Sequence, residues 1–341
     1  MIERPVSPSH PTQAFAAPNS AAPKAPRSFL GVDIFMYAAF VALAAMFVLV
    51  YWRLARQYDR ATIDMLVNFR AERPFQYRIL TIWFIRLAHS LTGMKATHIC
   101  FMTTFGATFF TLVVYRKYLE LFFTKREAFI GSLAIIYVML WNYPILAPLY
   151  YPYDIPGIFF FVVGLILIYQ HKMAWYYPVF LLACLNRESA GFLIAAYLFA
   201  TVALRKPAVI ALHCVGQLLI WLAVKYAVTV KFAGNPGVSF ENHLADNAHF
   251  LGQLLRLELN TLPFVFAYGL VWPLILVGWA RHPAFVKRLL LTLIPFHIGM
   301  YIVANLWETR QYSEMIPVLL TPALMGARSL LSRLPVPREA S

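Results

Sequence analysis

Long apolar runs separated by short polar segments fill the chain from about residue 34 to residue 331. A helix that crosses a bilayer needs roughly 20 mostly apolar residues. Runs of about helix length cover residues 34–52, 97–115, 127–142, 155–170, 173–186, 189–204, 208–226, 260–280, 289–305 and 315–331. The pattern predicts an all-α fold: a polytopic transmembrane helix bundle with about ten spans.

Segment 76–92 departs from this pattern. Its apolar core, Ile79 to Ile85, is flanked by Arg78, Arg86 and His89. Two arginines within one spanning helix would be costly, whereas an amphipathic helix at the membrane surface tolerates them. We therefore expect interfacial helices in the first outer loop instead of an eleventh span.

Composition also indicates a membrane protein, since 61% of the 341 residues are hydrophobic and 13% are charged. Water-soluble domains are nearer half apolar and a quarter charged. The net charge of +14 does not indicate a nucleic-acid partner. Lys and Arg instead form short clusters between apolar runs, as in cytoplasmic loops that face anionic lipid.

The basic clusters orient the predicted bundle. With a cytoplasmic N-terminus and a non-spanning segment 76–92, the basic loops near residues 116–126, 172, 205–206 and 281–288 fall inside, as the positive-inside rule favours. Residues 1–28, rich in Pro, Ala and Ser, are predicted to be a disordered cytoplasmic tail. Residues 29–332 form the predicted bundle, and residues 333–341 a second cytoplasmic tail.

This orientation places most unusual polar residues at the outer end of the bundle. In the first outer loop, Asp59 and Asp64 lie among several arginines. Guanidinium groups suit phosphate oxygens, and either aspartate could act as a general base. Alternatively, the arginines extend to lipid headgroups and pair with Asp59, Asp64 and Glu72.

Two further candidates lie in the middle of the chain. Asp154 precedes Pro156 at the start of a span, which suits a helix N-cap, a substrate site or both. Arg187 and Glu188 interrupt two apolar segments, where charges are costly unless neutralised or used. They predict either a local salt bridge in a tight turn or a contact with substrate.

The last outer segment offers Glu308, Arg310 and Tyr312. Arg310 and Tyr312 could hold a phosphate or a sugar hydroxyl, or the segment could be an interfacial belt with Trp307.

No metal or cofactor is predicted. Cys100, Cys184 and Cys214 lie in apolar runs without paired spacing, and phosphate-loop, dinucleotide and hydrolase motifs are absent from the sequence. Glu241, His243, Asp246 and His249 occupy the longest later outer loop. His243, Asp246 and His249 are spaced at i, i+3 and i+6, so on a helix their side chains would not converge on one metal ion. This spacing favours an ordinary loop helix over a metal site. A divalent metal ion has no support in the sequence.

Three stretches resemble the GT-C type of integral membrane glycosyltransferase, which includes protein O-mannosyltransferases and aminoarabinose transferases. They are YDRATID with PFQYRILTIWFIRL, the turn LLACLNRESAGFLIAAYLF, and the span entry ETRQYSEMIPVLLTPAL. In the first loop, Asp59 and Asp64 are separated by four residues, whereas members of that family often have an adjacent acidic pair there. The large soluble C-terminal domain of some members is not expected in this chain.

The resemblance implies an inverting transfer of sugar from a polyprenyl-phosphate-linked donor to a glycan, lipid or protein acceptor. The reaction would take place at the periplasmic face of a bacterial inner membrane. Asp59 or Asp64 would be the base, and Arg310 with Tyr312 would contact phosphate, helped by Arg187 or Arg78. A transporter or flippase of an anionic lipid-linked sugar, or a non-catalytic assembly subunit, remains an alternative.

Overall fold

The computed structural model describes residues 30–333, so the predicted tail 1–28 and residues 334–341 of the predicted tail 333–341 lie outside the described residues. The regular structure of the described chain is helical apart from one short parallel pair, β1 (Arg56–Gln57) with β2 (Leu149–Tyr150), and one bridge between Arg73 and Gly237, which confirms the all-α class. The helices are α1 (Leu30–Leu54), α2 (Ile63–Val67), α3 (Ile79–Thr92), α4 (Ala96–Leu119), α5 (Lys125–Leu140), α6 (Asp154–Tyr169), α7 (Met173–Asn186), α8 (Phe192–Thr201), α9 (Pro207–Lys231), α10 (Leu244–Leu255), α11 (Leu262–Val265), α12 (Ala284–Leu289), α13 (Leu293–Val303) and α14 (Ile316–Leu331).

Six helical segments of the described chain are long and apolar enough to cross a membrane: Ile34–Leu54, Ala96–Leu119, Lys125–Ile145, Pro207–Lys231, Ala284–Val303 and Thr309–Leu331. Four shorter apolar helices accompany them: Ile79–Thr92, Asp154–Tyr169, Met173–Asn186 and Glu188–Thr201. The chain is thus a helical membrane protein, and the number of ten spans remains a prediction.

The predicted continuous helix over residues 260–280 is wrong. This segment forms α11 and a series of short 3-10 turns, because Pro263 and Pro273 interrupt the helical hydrogen bonding. Tyr268 and Gly269 adopt left-handed backbone conformations, with φ of 60° and 62°. The irregular segment packs against α14 at Gly326. A side chain at this position would collide with the Leu274 carbonyl, so glycine allows the two backbones to approach closely.

The loops gather at two ends of the bundle. At one, which we call the basic end, Phe122 before α5 contacts Tyr169 and Phe285, and Arg328 pairs with Glu127 at 3.0 Å. At the other, the polar end, β1 pairs with β2, and segment 231–243 bonds to the first outer loop. The alternation of spans between these two ends, and the orientation of the ends across a membrane, remain predictions.

Helix α6 lies in the centre of the bundle and packs against α4, α7 and α8. Glycines on α6 permit this close packing: a Cβ at Gly164 would lie 2.9 Å from the side chain of Leu193 in α8. A Cβ at Gly157 would lie 3.2 Å from a carboxylate oxygen of Glu314. The start of α6 is therefore held deep within the polar end, beside the segment that leads into α14.

Candidate functional site

Asp154 is the first residue of α6 and is fully buried. Its Oδ1 lies 3.5 Å from Nη1 of Arg187, and its Oδ2 accepts a hydrogen bond from Nη1 of Arg310 at 3.3 Å. The N-cap position belongs to Tyr153, without a side-chain cap hydrogen bond. Asp154 thus neutralises two arginines instead of capping the helix, and the positive end of the helix dipole favours its charge.

Two more carboxylates complete this group. Arg187 lies at the break between α7 and the turn Glu188–Gly191, and its Nη1 is 2.9 Å from Oε1 of Glu314. Arg310 donates to Glu308 at 2.5 Å, and its guanidinium lies 4.1 Å from the centre of the Tyr151 ring. We call Asp154, Arg187, Glu308, Arg310 and Glu314 the acidic cluster, since three carboxylates face two guanidinium groups.

A neighbouring group has the opposite balance. Glu188 accepts from Arg78 Nε at 3.3 Å and from Lys225 Nζ at 3.1 Å. Arg78 also donates to the Tyr153 hydroxyl at 2.9 Å. We call Arg78, Glu188 and Lys225 the basic cluster, because two cations share one carboxylate.

Charge pairing outweighs burial at both clusters. Burial raises the pKa of Glu308, but the Arg310 guanidinium and hydrogen bonds from Gln311, Asn305 and Arg310 hold it below its ordinary value. Burial lowers the pKa of Arg78, but Tyr153 and Glu188 leave it above its ordinary value. Both side chains are therefore charged at neutral pH, which places fixed charges of both signs in a desolvated site.

A cavity of about 290 Å³ opens between the two clusters. Its walls include charged and polar side chains of both clusters and of neighbouring segments: Arg78, Arg187, Glu188, Lys225, Ser239, Glu241, His243, Asn305, Glu308, Arg310 and Gln311. The cavity is wide enough for a small headgroup, and its walls offer both donors and acceptors.

An apolar groove of about 610 Å³ runs between α3, α4 and α6. Its walls are almost entirely nonpolar, and they include Leu80, Phe84, Met102, Gly106, Phe110, Pro156 and Phe160. Thr81 in the groove donates to Asn186 at 2.6 Å, and Asn186 donates to the Tyr153 carbonyl at 2.9 Å. One hydrogen-bonded chain therefore connects the groove wall to the residue that Arg78 contacts.

Five of the predicted site residues line the cavity: Arg78, Arg187, Glu188, Glu308 and Arg310. Asp154 lies beneath them through its pairs with Arg187 and Arg310. Tyr312 is buried, and its hydroxyl donates to the Leu306 carbonyl at 3.0 Å, so that group already has a structural partner.

The two predicted bases lie elsewhere. Asp59 and Asp64 are exposed and are not among the cavity-lining residues. Asp64 pairs with Arg70 at 3.4 Å and accepts a hydrogen bond from Asn68. The alternative of local acid–arginine pairs thus describes Asp64, and the catalytic role of either aspartate stays a prediction.

The sequence analysis missed three members of the site. Lys225 lies within an apolar run, where a charged residue is itself a signal of function. Glu314 directly precedes the apolar residues of α14. Tyr153 had no signal, because its contact with Arg78 depends on the fold.

Within residues 30–333, no group of three or more His, Cys, Asp or Glu side chains is placed to hold a metal ion.

Comparison of the chain with family models, curated proteins and solved structures gives no match. The resemblance to GT-C enzymes therefore remains a prediction from the sequence. The geometry itself describes a cavity with fixed charges of both signs beside an apolar groove, which is suited to an amphipathic ligand with a charged headgroup.

Proposed function

We propose that this protein is a membrane glycosyltransferase that uses a polyprenyl-phosphate-linked sugar as donor. Transfer to a glycan, lipid or protein acceptor would take place at the polar end, which we assign to the periplasmic face of a bacterial inner membrane. The observation that carries the proposal is the position of the charged cavity beside an apolar groove. Such a pair of sites suits a lipid with a phosphate-bearing headgroup.

The basic cluster is the proposed phosphate site. Among the described residues, the ion pairs of Arg78 and Lys225 are both with Glu188, so a phosphate would place a second negative charge beside this pair of cations. The same cations would stabilise the negative charge that develops on the departing lipid phosphate. Asn305 and Gln311 would exchange hydrogen bonds with sugar or acceptor hydroxyls.

The groove is the proposed site for the first part of the lipid chain. Each buried CH2 group contributes about 0.8 kcal/mol to binding. Gly106 widens the groove, since a Cβ there would meet nothing within 4 Å. A chain in this position would anchor the donor while the cavity holds its headgroup.

The transporter alternative predicts charged side chains along a path through the bundle. Among the described residues, the buried Asp, Glu, Lys and Arg side chains are Asp154, Arg187, Glu308, Arg310 and Glu314. All five belong to the acidic cluster at the polar end, so the distribution of buried charge favours chemistry at one face over passage through the membrane.

A strain that lacks the protein, complemented with wild type or variants at matched expression, tests the proposal. Mass spectrometry would measure envelope glycans and polyprenyl-linked sugars. We expect one sugar to disappear from its glycan in the deletion strain and its lipid donor to accumulate. Unchanged glycans and lipid-linked sugars in the deletion strain would contradict the proposal.

Two matched pairs of variants test the two sites. Lys225→Met removes a cavity charge, whereas Lys231→Met removes an exposed charge from the same helix, α9. Gly106→Leu fills the groove, whereas Gly252→Leu adds the same side chain in α10, where a Cβ also meets nothing within 4 Å. We expect only the first variant of each pair to lose transfer. Equal effects within either pair would remove that site from the proposal.

A further inference from the structure

The wall of the cavity contains an imidazole held between carboxylates. His243 Nδ1 lies 3.2 Å from Asp246 Oδ2, and His243 Nε2 lies 3.6 Å from Glu241 Oε2. Both His243 and Glu241 line the cavity, and the His243 side chain is 19% exposed. Asp246 lies one helical turn further along, at the start of α10.

Backbone contacts fix the position of this histidine. The His243 backbone N–H donates to the Ile302 carbonyl at 2.9 Å. The Asn247 amide donates to the carbonyls of Tyr301 and Ala304, at 2.7 Å each, and accepts from the Leu306 N–H at 3.0 Å. The start of α10 is therefore joined to the segment that leads into Glu308, and the imidazole keeps its place relative to the acidic cluster.

We propose that His243 is the proton acceptor of the transfer reaction, with Asp246 as its positioning residue. This inference rests on the proposed function. With the ring proton on Nδ1, Asp246 accepts its hydrogen bond. Nε2, which is 3.6 Å from Glu241 Oε2 and so makes no hydrogen bond to it, carries the lone pair. A base oriented by a third group in this way is a recurrent arrangement in enzymes that activate a hydroxyl.

The acceptor hydroxyl oxygen forms a bond to the anomeric carbon of the donor sugar while the bond from that carbon to the phosphate oxygen breaks. The electron pair leaves with the lipid phosphate, which Arg78 and Lys225 would stabilise. The hydroxyl proton passes to Nε2 of His243, and the imidazolium then releases it to water.

The other groups around the cavity are less suited to accept a proton. Glu188 and Glu308 already accept hydrogen bonds from Arg78, Lys225, Arg310 and Gln311, which engage their lone pairs. Asp59 and Asp64 do not line the cavity. The charged groups that share the cavity with His243 are Glu241 on its own segment and Arg78, Arg187, Glu188, Lys225, Glu308 and Arg310 on the others.

The decisive variant is His243→Gln. Its control is His249→Gln, which changes an exposed histidine in α10, the helix that follows His243. The readout is the rate at which right-side-out membrane vesicles move the sugar that the deletion strain lacks. We expect His243→Gln to slow transfer by about 10²- to 10⁴-fold, the usual contribution of a general base, and His249→Gln to leave it unchanged. Donor binding, measured as lipid-linked sugar that co-purifies with the protein, should persist in both.

Asp246→Asn separates positioning from folding. We expect Asp246→Asn to transfer more slowly and to have a changed pH–rate profile. A His243→Gln variant that transfers at the wild-type rate would overturn the assignment while leaving the transferase intact, and loss of transfer in Asp59→Asn with Asp64→Asn would then return the role to the first loop. Unchanged sugars in the deletion strain would overturn both proposals.

Discussion

The acidic cluster and the first outer loop both place carboxylates beside arginines, yet the fold gives them different surroundings. In the acidic cluster, the side chains of Asp154 and Arg310 are 0% and 2% exposed. In the first outer loop, those of Asp64 and Arg70 are 75% and 69% exposed. Similar residues thus form a desolvated network in one region and a solvated pair in the other.

The difference lies in what each pair can do. Water screens an exposed ion pair, which contributes about 0–1 kcal/mol to stability. A buried pair interacts strongly, but each partner becomes costly once the other is removed. Sites that must hold fixed charges for a ligand are therefore expected at the acidic and basic clusters.

Arg310→Met should have the largest effect on stability. It leaves Asp154 and Glu308 without their shared cation in a buried position, and breaking such a pair costs about 3–5 kcal/mol. Thermal denaturation in detergent, followed by the fraction of monodisperse protein, would measure the loss. Arg70→Met is the matched control on the surface, and equal losses in the two variants would contradict the contrast.

Glu314→Gln should cost less, about 1–3 kcal/mol, because it keeps the shape of the side chain and leaves Arg187 its second carboxylate, Asp154. The double variant Glu314→Gln with Arg187→Met should lose less stability than the sum of the two single losses, since each substitution removes the same ion pair. Strict additivity in this double-mutant cycle would show that the 2.9 Å contact contributes nothing.

Lys225→Met should change stability by less than about 1 kcal/mol, since its ion pair with Glu188 is partly solvated. Its expected effect is on transfer, and so it separates a ligand-facing charge from a structural one. A loss of folded protein as large as that in Arg310→Met would place Lys225 in the structural network instead.

Much of the fold could be predicted from the sequence, because apolar runs of helix length have few alternatives in a bilayer. The failure at residues 260–280 was avoidable in part, since Pro263, Gly269, Pro273 and Gly278 all stand in that run. Hydropathy measures how apolar a segment is and takes no account of whether its backbone can remain helical. The length of this run therefore concealed the breaks within it.

The site could be predicted only in outline. Arg187, Glu308 and Arg310 were found because charges beside apolar runs are unusual. Their pairing with Asp154 and Glu314 was not foreseen, since Asp154 and Arg310 lie 156 positions apart and meet only through the packing of α6 on the segment before α14. The sequence equally gave no sign that Asp64 would be exposed and Asp154 buried.

The smallest effect is expected for Asp59→Asn with Asp64→Asn. Both carboxylates are exposed, and the contact of Asp64 with Arg70 is a solvated ion pair, so the double variant should change stability by no more than about 1 kcal/mol. Because neither residue lines the cavity, transfer should also persist if His243 accepts the proton. Thermal denaturation and the vesicle assay together check both parts. Preserved stability with abolished transfer would return the catalytic role to the first loop. It would also contradict the expectation that only the buried charged clusters serve a ligand.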